Sequence, residues 1–109
     1  MNVPTEIDIL LYREGPTAPF ADWLAELKDM RAAGIIRARI NRLRLGNFGD
    51  CRSVAGGVEE LRIDFGPGYR VYFGRRGSAL VVLLCGGPKR TQARDIATAH
   101  KYWKEHLNG

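Results

Sequence analysis

No run of apolar residues in this chain approaches the roughly 20 that a membrane-spanning helix needs. The opening stretch MNVPTEIDIL has neither the basic start nor the apolar centre of a secretory leader, so a cytoplasmic protein is expected. Cysteine is scarce: Cys51 and Cys85 lie far apart, and no CxxC is present. In a reducing compartment both are expected as free thiols. Histidine is equally scarce. His100 and His106 lack the spacing of an HExxH site and have no cysteine nearby in sequence, so no metal centre is expected. The chain has no Walker sequence and no GxGxxG after a strand, and no cofactor is expected. Ser53 and Ser78 fall in turn-like segments without a histidine, which leaves a serine nucleophile unsupported.

Arginine is what the chain has in quantity. The 109 residues fit one domain, 1–109, and 45% hydrophobic content supplies a real core. Residues 1–30 carry two basic and six acidic side chains, whereas residues 31–109 carry 15 basic and six acidic. Thirteen of the 17 basic residues are arginine, whose planar fork suits bidentate phosphate recognition. A polyanionic partner fits this composition, nucleic acid first. A basic protein that is merely soluble fits it as well.

Hydrophobic periodicity gives the elements. IDILLY (residues 7–12) reads as a strand. PFADWLAELKDM (19–30) places Phe20, Trp23, Leu24 and Leu27 at helical spacing, with Pro19 in the first turn. Gly34 reads as a break. In IIRARINRLRLG (35–46), Ile36, Ile40 and Leu43 form a stripe flanked by Arg37 and Arg44 on one side and by Arg39 and Arg42 on the other. Gly46 ends this helix. A short strand fits near Cys51–Val54. VEELRIDF, YRVYFG and ALVVLLC follow as a meander with tight separators. ALVVLLC, apolar on both faces, reads as a central covered strand. GGPKR is expected to leave the sheet as a loop. The final helix, TQARDIATAHKYWKEHL, puts Ile96, Ala99, Trp103 and Leu107 on one side. The expected fold is α+β in two layers: helices on one face of a mostly antiparallel sheet, the other face open.

That open face is where chemistry is expected. With Phe65 opposite Tyr69, residues Leu61, Ile63, Phe65, Tyr69, Val71 and Phe73 share a core face, and Asp64 pairs with Arg70 and Arg62 with Tyr72. The Pro67-Gly68 turn favours another register. The pattern is preferred, because one residue of slip would expose the hydrophobic set. Arg62, Arg70 and Tyr72 then present to solvent, joined by Lys89 and Arg90 from the GGPKR loop. Such a set binds a phosphodiester and stabilises the extra charge of a pentacovalent phosphorus. RNA supplies its own nucleophile, the 2′-hydroxyl, and a tyrosine among cations is expected to ionise more readily or to stack on a base. The same residues also fit an exposed cross-strand ion pair, an ordinary strand aromatic, and a turn made soluble by Arg75 and Arg76.

RINRLRLGNFGD, GVEELRIDFGPGYRVYF and LLCGGPKRTQARDI resemble the HigB-like "addiction module killer protein" group of the RelE/ParE toxin superfamily. The resemblance runs from about Ile7 to Trp103. It implies a RelE-like fold with an α-helical hairpin and a C-terminal helix. It also implies the toxin half of a type II toxin–antitoxin pair, held by a cognate antitoxin in a hetero-oligomer. RelE-like and HigB-like members cleave mRNA on the translating ribosome. Arg70 matches the family's sheet arginine at the scissile phosphate. Tyr72, Lys89 and Arg90 fall where related toxins keep catalytic or RNA-contacting groups. Arg62, Arg42, Arg75 and Arg76 are further RNA-binding candidates. The chain departs from some relatives in carrying arginines where they have early-strand lysines, and His100 has no assigned role. The ParE branch implies a different activity, non-enzymatic inhibition of DNA gyrase.

Overall fold

The computed structural model describes residues 6–109, so the first five residues of MNVPTEIDIL lie outside the described residues. The elements run β1 (Asp8–Leu11), α1 (Pro19–Glu26), α2 (Met30–Arg44), β2 (Cys51–Ser53), β3 (Val58–Ile63), β4 (Tyr69–Arg76), β5 (Leu80–Pro88) and α3 (Gln92–Asn108). That is the expected order of strands and helices. The sheet order is β1-β5-β4-β3-β2, with β1 parallel to β5 and all other neighbours antiparallel. The fold is therefore α+β, with a mixed five-stranded sheet and three helices.

The helical hairpin breaks earlier than expected. Gly34 lies inside α2, and the break falls at Asp29, whose carboxylate accepts from the backbone N–H of Arg31 and Ala32. An N-cap that satisfies two orphan donors outweighs the cost of one exposed helical glycine. The other end behaves as read. The N–H of Asn47 reaches the Arg42 carbonyl and that of Gly46 reaches the Leu43 carbonyl, with Gly46 at φ 83°, a Schellman cap that glycine makes without strain.

The expected open face of the sheet does not exist over β4 and β5. One face carries Leu61, Ile63, Tyr69, Val71, Phe73, Val81 and Leu83 against the hairpin residues Phe20, Ile36, Ile40 and Leu43. The opposite face carries Val58, Tyr72, Val82, Leu84 and Cys85 against Ala99 and Trp103 of α3. The polar-looking positions of β4 include one large aromatic, Tyr72, and a helix with its own apolar stripe buries it. Leu107, expected on that stripe, is exposed at the end of α3.

The β3–β4 pairing sits two residues from the expected register: Ile63 faces Tyr69, Arg62 faces Arg70 and Glu60 faces Tyr72. Because the shift is even, every side chain keeps its predicted face while every cross-strand partner changes. Residues 64–68 form the connecting loop, and a β-bulge lies between β4 and β5, at Tyr72/Phe73. GGPKR also differs from expectation. Gly86, Gly87 and Pro88 continue β5, pairing with Val71, Arg70 and Tyr69, and Lys89–Thr91 make a 3-10 turn. Side chains are excluded here: a Cβ on Gly86 would run into the Trp23 ring, and one on Gly87 into the Asp95 carboxylate. Both cysteines are free thiols. No helix among the described residues is long and apolar enough to cross a membrane.

Candidate functional site

At the end of β4 nearest α3's start, two arginines face each other. Arg62 and Arg70 are directly paired across β3 and β4 on the same sheet face. Like charges so placed repel, and the surrounding residues answer this with two carboxylates. Asp50 takes Arg62: its Oδ1 accepts from Arg62 Nε at 3.1 Å and from Nη2 at 2.7 Å. The same segment is tied through backbone, with Arg62 N–H donating to the Asp50 carbonyl and Arg39 Nη1 donating to the Arg62 carbonyl. The bonds from Arg62 hold the Asp50 carboxyl below the usual carboxylate range and raise the guanidinium in turn.

Arg70 is answered by Glu60. Arg70 is buried, at 7% exposure, and its Nη1 donates to the Tyr69 carbonyl at 3.0 Å. Its Nε lies 3.8 Å from Glu60 Oε1 and makes no hydrogen bond. Glu60 has no solvent exposure at all. Its Oε1 accepts from Arg52 Nε at 3.0 Å and its Oε2 from Gln92 Nε2 at 2.7 Å.

Lys89 arrives from the third direction. Its backbone N–H donates to the Gly68 carbonyl, pinning the 3-10 turn against the β3–β4 loop. Gly68 has φ 84°, and a Cβ there would sit 3.4 Å from Lys89 Cβ and 3.8 Å from Arg70 Nη1. The GPG loop therefore brings Lys89 and Arg70 side by side. Asp50, Arg62, Asp64, Arg70 and Lys89 line one polar pocket of about 270 Å³. Three cations and two carboxylates around such a volume suit a phosphodiester, with donors for its oxygens and an acceptor for a neighbouring hydroxyl.

The other sequence candidates stand apart. Tyr72 does not face solvent. It is fully buried under α3, and its hydroxyl has no hydrogen-bond partner among the described residues. Burial first, and the Glu60 charge second, push its pKa up, against the expected lowering by cations. Arg90 is exposed beside Lys89 but does not line the pocket. Arg42 is in the last turn of α2, also outside it. Arg75 and Arg76 point to opposite faces at the far end of β4, about 17 and 20 Å from Arg70 at strand rise. Arg75 pairs with Glu59 at 2.6 Å and lies 3.7 Å over the Phe48 ring. Arg76 lies 3.4 Å from His106.

Sequence reasoning missed Asp50, Glu60 and Gln92. Glu60 had a usable signal: it shares strand parity with Arg62. Asp50 and Gln92 had none, because a loop and a helix start reach the site only through tertiary packing. His100 acquires a structural place. Its Nε2 lies 2.9 Å from the Val54 carbonyl and 3.0 Å from the Ala55 carbonyl, so that nitrogen carries the proton and ties down the β2–β3 turn, where Ala55 has φ 70°. A second depression, about 440 Å³ and largely apolar, lies between the hairpin and the sheet among Phe20, Leu24, Arg37, Ile40 and Leu83.

No protein-family model matches the chain. Over 83 residues the chain is 55% identical to an uncharacterized protein of Haemophilus influenzae, a match covering 76% of this chain and 84% of that protein. At that identity and coverage, the chain belongs to the same family as the Haemophilus influenzae protein.

Proposed function

We propose that this protein is the toxin of a type II toxin–antitoxin pair, with a RelE-like fold, acting in the cytoplasm as a ribosome-dependent mRNA endoribonuclease. The observation that carries the reading is the meeting of Arg62, Arg70 and Lys89, from β3, β4 and the turn after β5, in one polar pocket. The sequence resemblance to HigB-like toxins supports it, since Arg70, Lys89 and Arg62 are among the residues that carry that resemblance.

In this reading the 2′-hydroxyl oxygen attacks the adjacent phosphorus and the P–O5′ bond breaks. The products are a 2′,3′-cyclic phosphate and a 5′-hydroxyl. Arg62 and Arg70 stabilise the dianionic phosphorane. Asp64, exposed at the pocket, accepts the 2′-hydroxyl proton, and the Lys89 ammonium supplies one to the departing 5′-oxygen. Tyr72 takes no part in proton transfer, because its hydroxyl is buried away from the pocket. Arg90 adds long-range attraction for the RNA backbone. The reaction needs no metal ion in this scheme. A cognate antitoxin neutralises the toxin by covering the pocket or the helical hairpin, where the apolar depression offers a seat.

The test is cleavage of a defined mRNA on programmed ribosomes, with 5′ ends mapped. Cleavage within codons is expected, with a loss of about 100- to 1,000-fold in Arg70→Ala that retains its fold. Intact mRNA together with trapped gyrase–DNA cleavage complexes would overturn the reading in favour of ParE-like inhibition.

A further inference from the structure

We propose that Glu60 is the positioning residue of the phosphate pocket, setting the Arg70 guanidinium and, through Gln92, the start of α3 beside Lys89. The inference rests on the nuclease reading above.

A carboxylate with no solvent exposure is expensive to bury, and an apolar residue of similar volume serves stability as well or better. It stands where the sheet face turns from apolar, with Val58 two residues before it and Tyr72 opposite, to charged, with Arg62 two residues after it. Its three partners come from three elements: Arg52 from β2, Arg70 from β4 and Gln92 from α3. Two of these elements bear on the pocket. Arg70 lines it, and Gln92 follows the Lys89–Thr91 turn directly. Glu60 itself does not line the pocket, so it acts through these neighbours.

The geometry at Arg70 shows why it needs such a partner. Among the described residues only Nη1 finds an acceptor, the carbonyl of the adjacent residue, and Nε finds none. A guanidinium held by a single bond swings about it. Directly opposite stands Arg62, which repels it. The Glu60 charge behind Nε opposes that repulsion and fixes the tilt. Asp50 does the same for Arg62 from the solvent side. A shift of Arg70 by about 1 Å at a transition state is enough to cost about 100-fold in rate.

The experiment measures single-turnover cleavage of one mRNA site on programmed ribosomes for wild type, Glu60→Gln, Arg70→Ala and the double variant. Each variant's fold is checked by circular dichroism. Glu60→Gln is expected to lose about 100-fold in rate, and the double variant to match Arg70→Ala within about threefold, because Glu60 acts through Arg70. A double variant whose losses multiply, or a Glu60→Gln protein that cleaves like wild type, overturns the proposal. If Glu60→Gln does not fold, Gln92→Leu removes one bond to the same carboxylate. It is expected to lose about tenfold, again without further loss on Arg70→Ala, and a wild-type rate overturns the proposal. A second readout separates this inference from the nuclease reading: the arginine Nε–Hε NMR signals titrated with inorganic phosphate. With no mRNA cleavage by wild type, an Arg70 signal that responds to phosphate in wild type but not in Glu60→Gln sinks the nuclease reading and leaves the positioning role standing. An Arg70 signal that responds equally in both proteins overturns the positioning role.

Discussion

The two faces of the sheet are built on different terms. The face under α1 and α2 is apolar across its centre, with Leu61, Ile63, Val71, Phe73 and Leu83 packed on Phe20, Ile36, Ile40 and Leu43, and its charged pair, Glu59–Arg75, lies at the rim. The face under α3 is divided. Trp103, Ala99, Tyr72 and Val82 close one end like an ordinary core. The other end holds Glu60 and Arg70, both buried and charged, and opens into the pocket. An apolar face gains stability from every residue it buries. A face with a buried carboxylate and guanidinium gives some of that gain back, and keeps instead two charges in fixed positions. The hairpin core and the charged pocket therefore lie on opposite sides of the same strands: along β4, Tyr69, Val71 and Phe73 face one, and Arg70 lines the other.

The largest effect expected from pulling the faces apart is on the hairpin side. Phe73→Ala should cost about 3–5 kcal/mol of stability by denaturant unfolding, while the proposed mRNA cleavage, measured per folded molecule, stays at the wild-type level. A parallel fall in specific activity would break the division of labour. Next come the glycines that let tryptophans lie on the sheet. Gly74→Ala places a methyl in the Trp103 ring and Gly86→Ala one in the Trp23 ring, on opposite faces. Each is expected to lose about 1–3 kcal/mol, read as a lowered melting temperature, and neither to change the RNA products.

Tyr72→Phe probes the divided face at its apolar end. The hydroxyl is buried without a partner, so its removal should leave stability unchanged or raise it by up to about 1 kcal/mol. Cleavage should stay within about threefold of wild type. A loss as large as that of Arg70→Ala would place the phenol back in the chemistry.

The smallest effect is at the far end of β4. Burial, and then the Arg76 charge, lower the pKa of His106 below its ordinary 6.5. The unfolded chain then binds a proton that the folded chain resists, so stability rises with pH in this window. It should fall slightly as pH drops through 6.5 and level off below the folded-state value. Melting curves between about pH 5 and 8 should show this slope in wild type and lose it in His106→Gln.

The order of strands and helices, the core stripe Ile36–Ile40–Leu43 and the face of every β3 and β4 side chain follow from the sequence alone, because periods of 3.6 and 2 are local properties. So do the arginine-rich half and the candidacy of Arg62, Arg70 and Lys89. Tertiary structure decided what these residues meet. An even register shift kept each face and replaced the expected Asp64–Arg70 pair with Arg62 opposite Arg70, since loop geometry and not periodicity sets the partner. Packing of α3 closed over Tyr72 and raised its pKa, because burial is a property of two elements together. The same packing brought Gln92 to Glu60, and the pairing of β2 with β3 brought Asp50 to Arg62. No local pattern in the chain relates them, so only the folded chain puts a carboxylate behind each arginine.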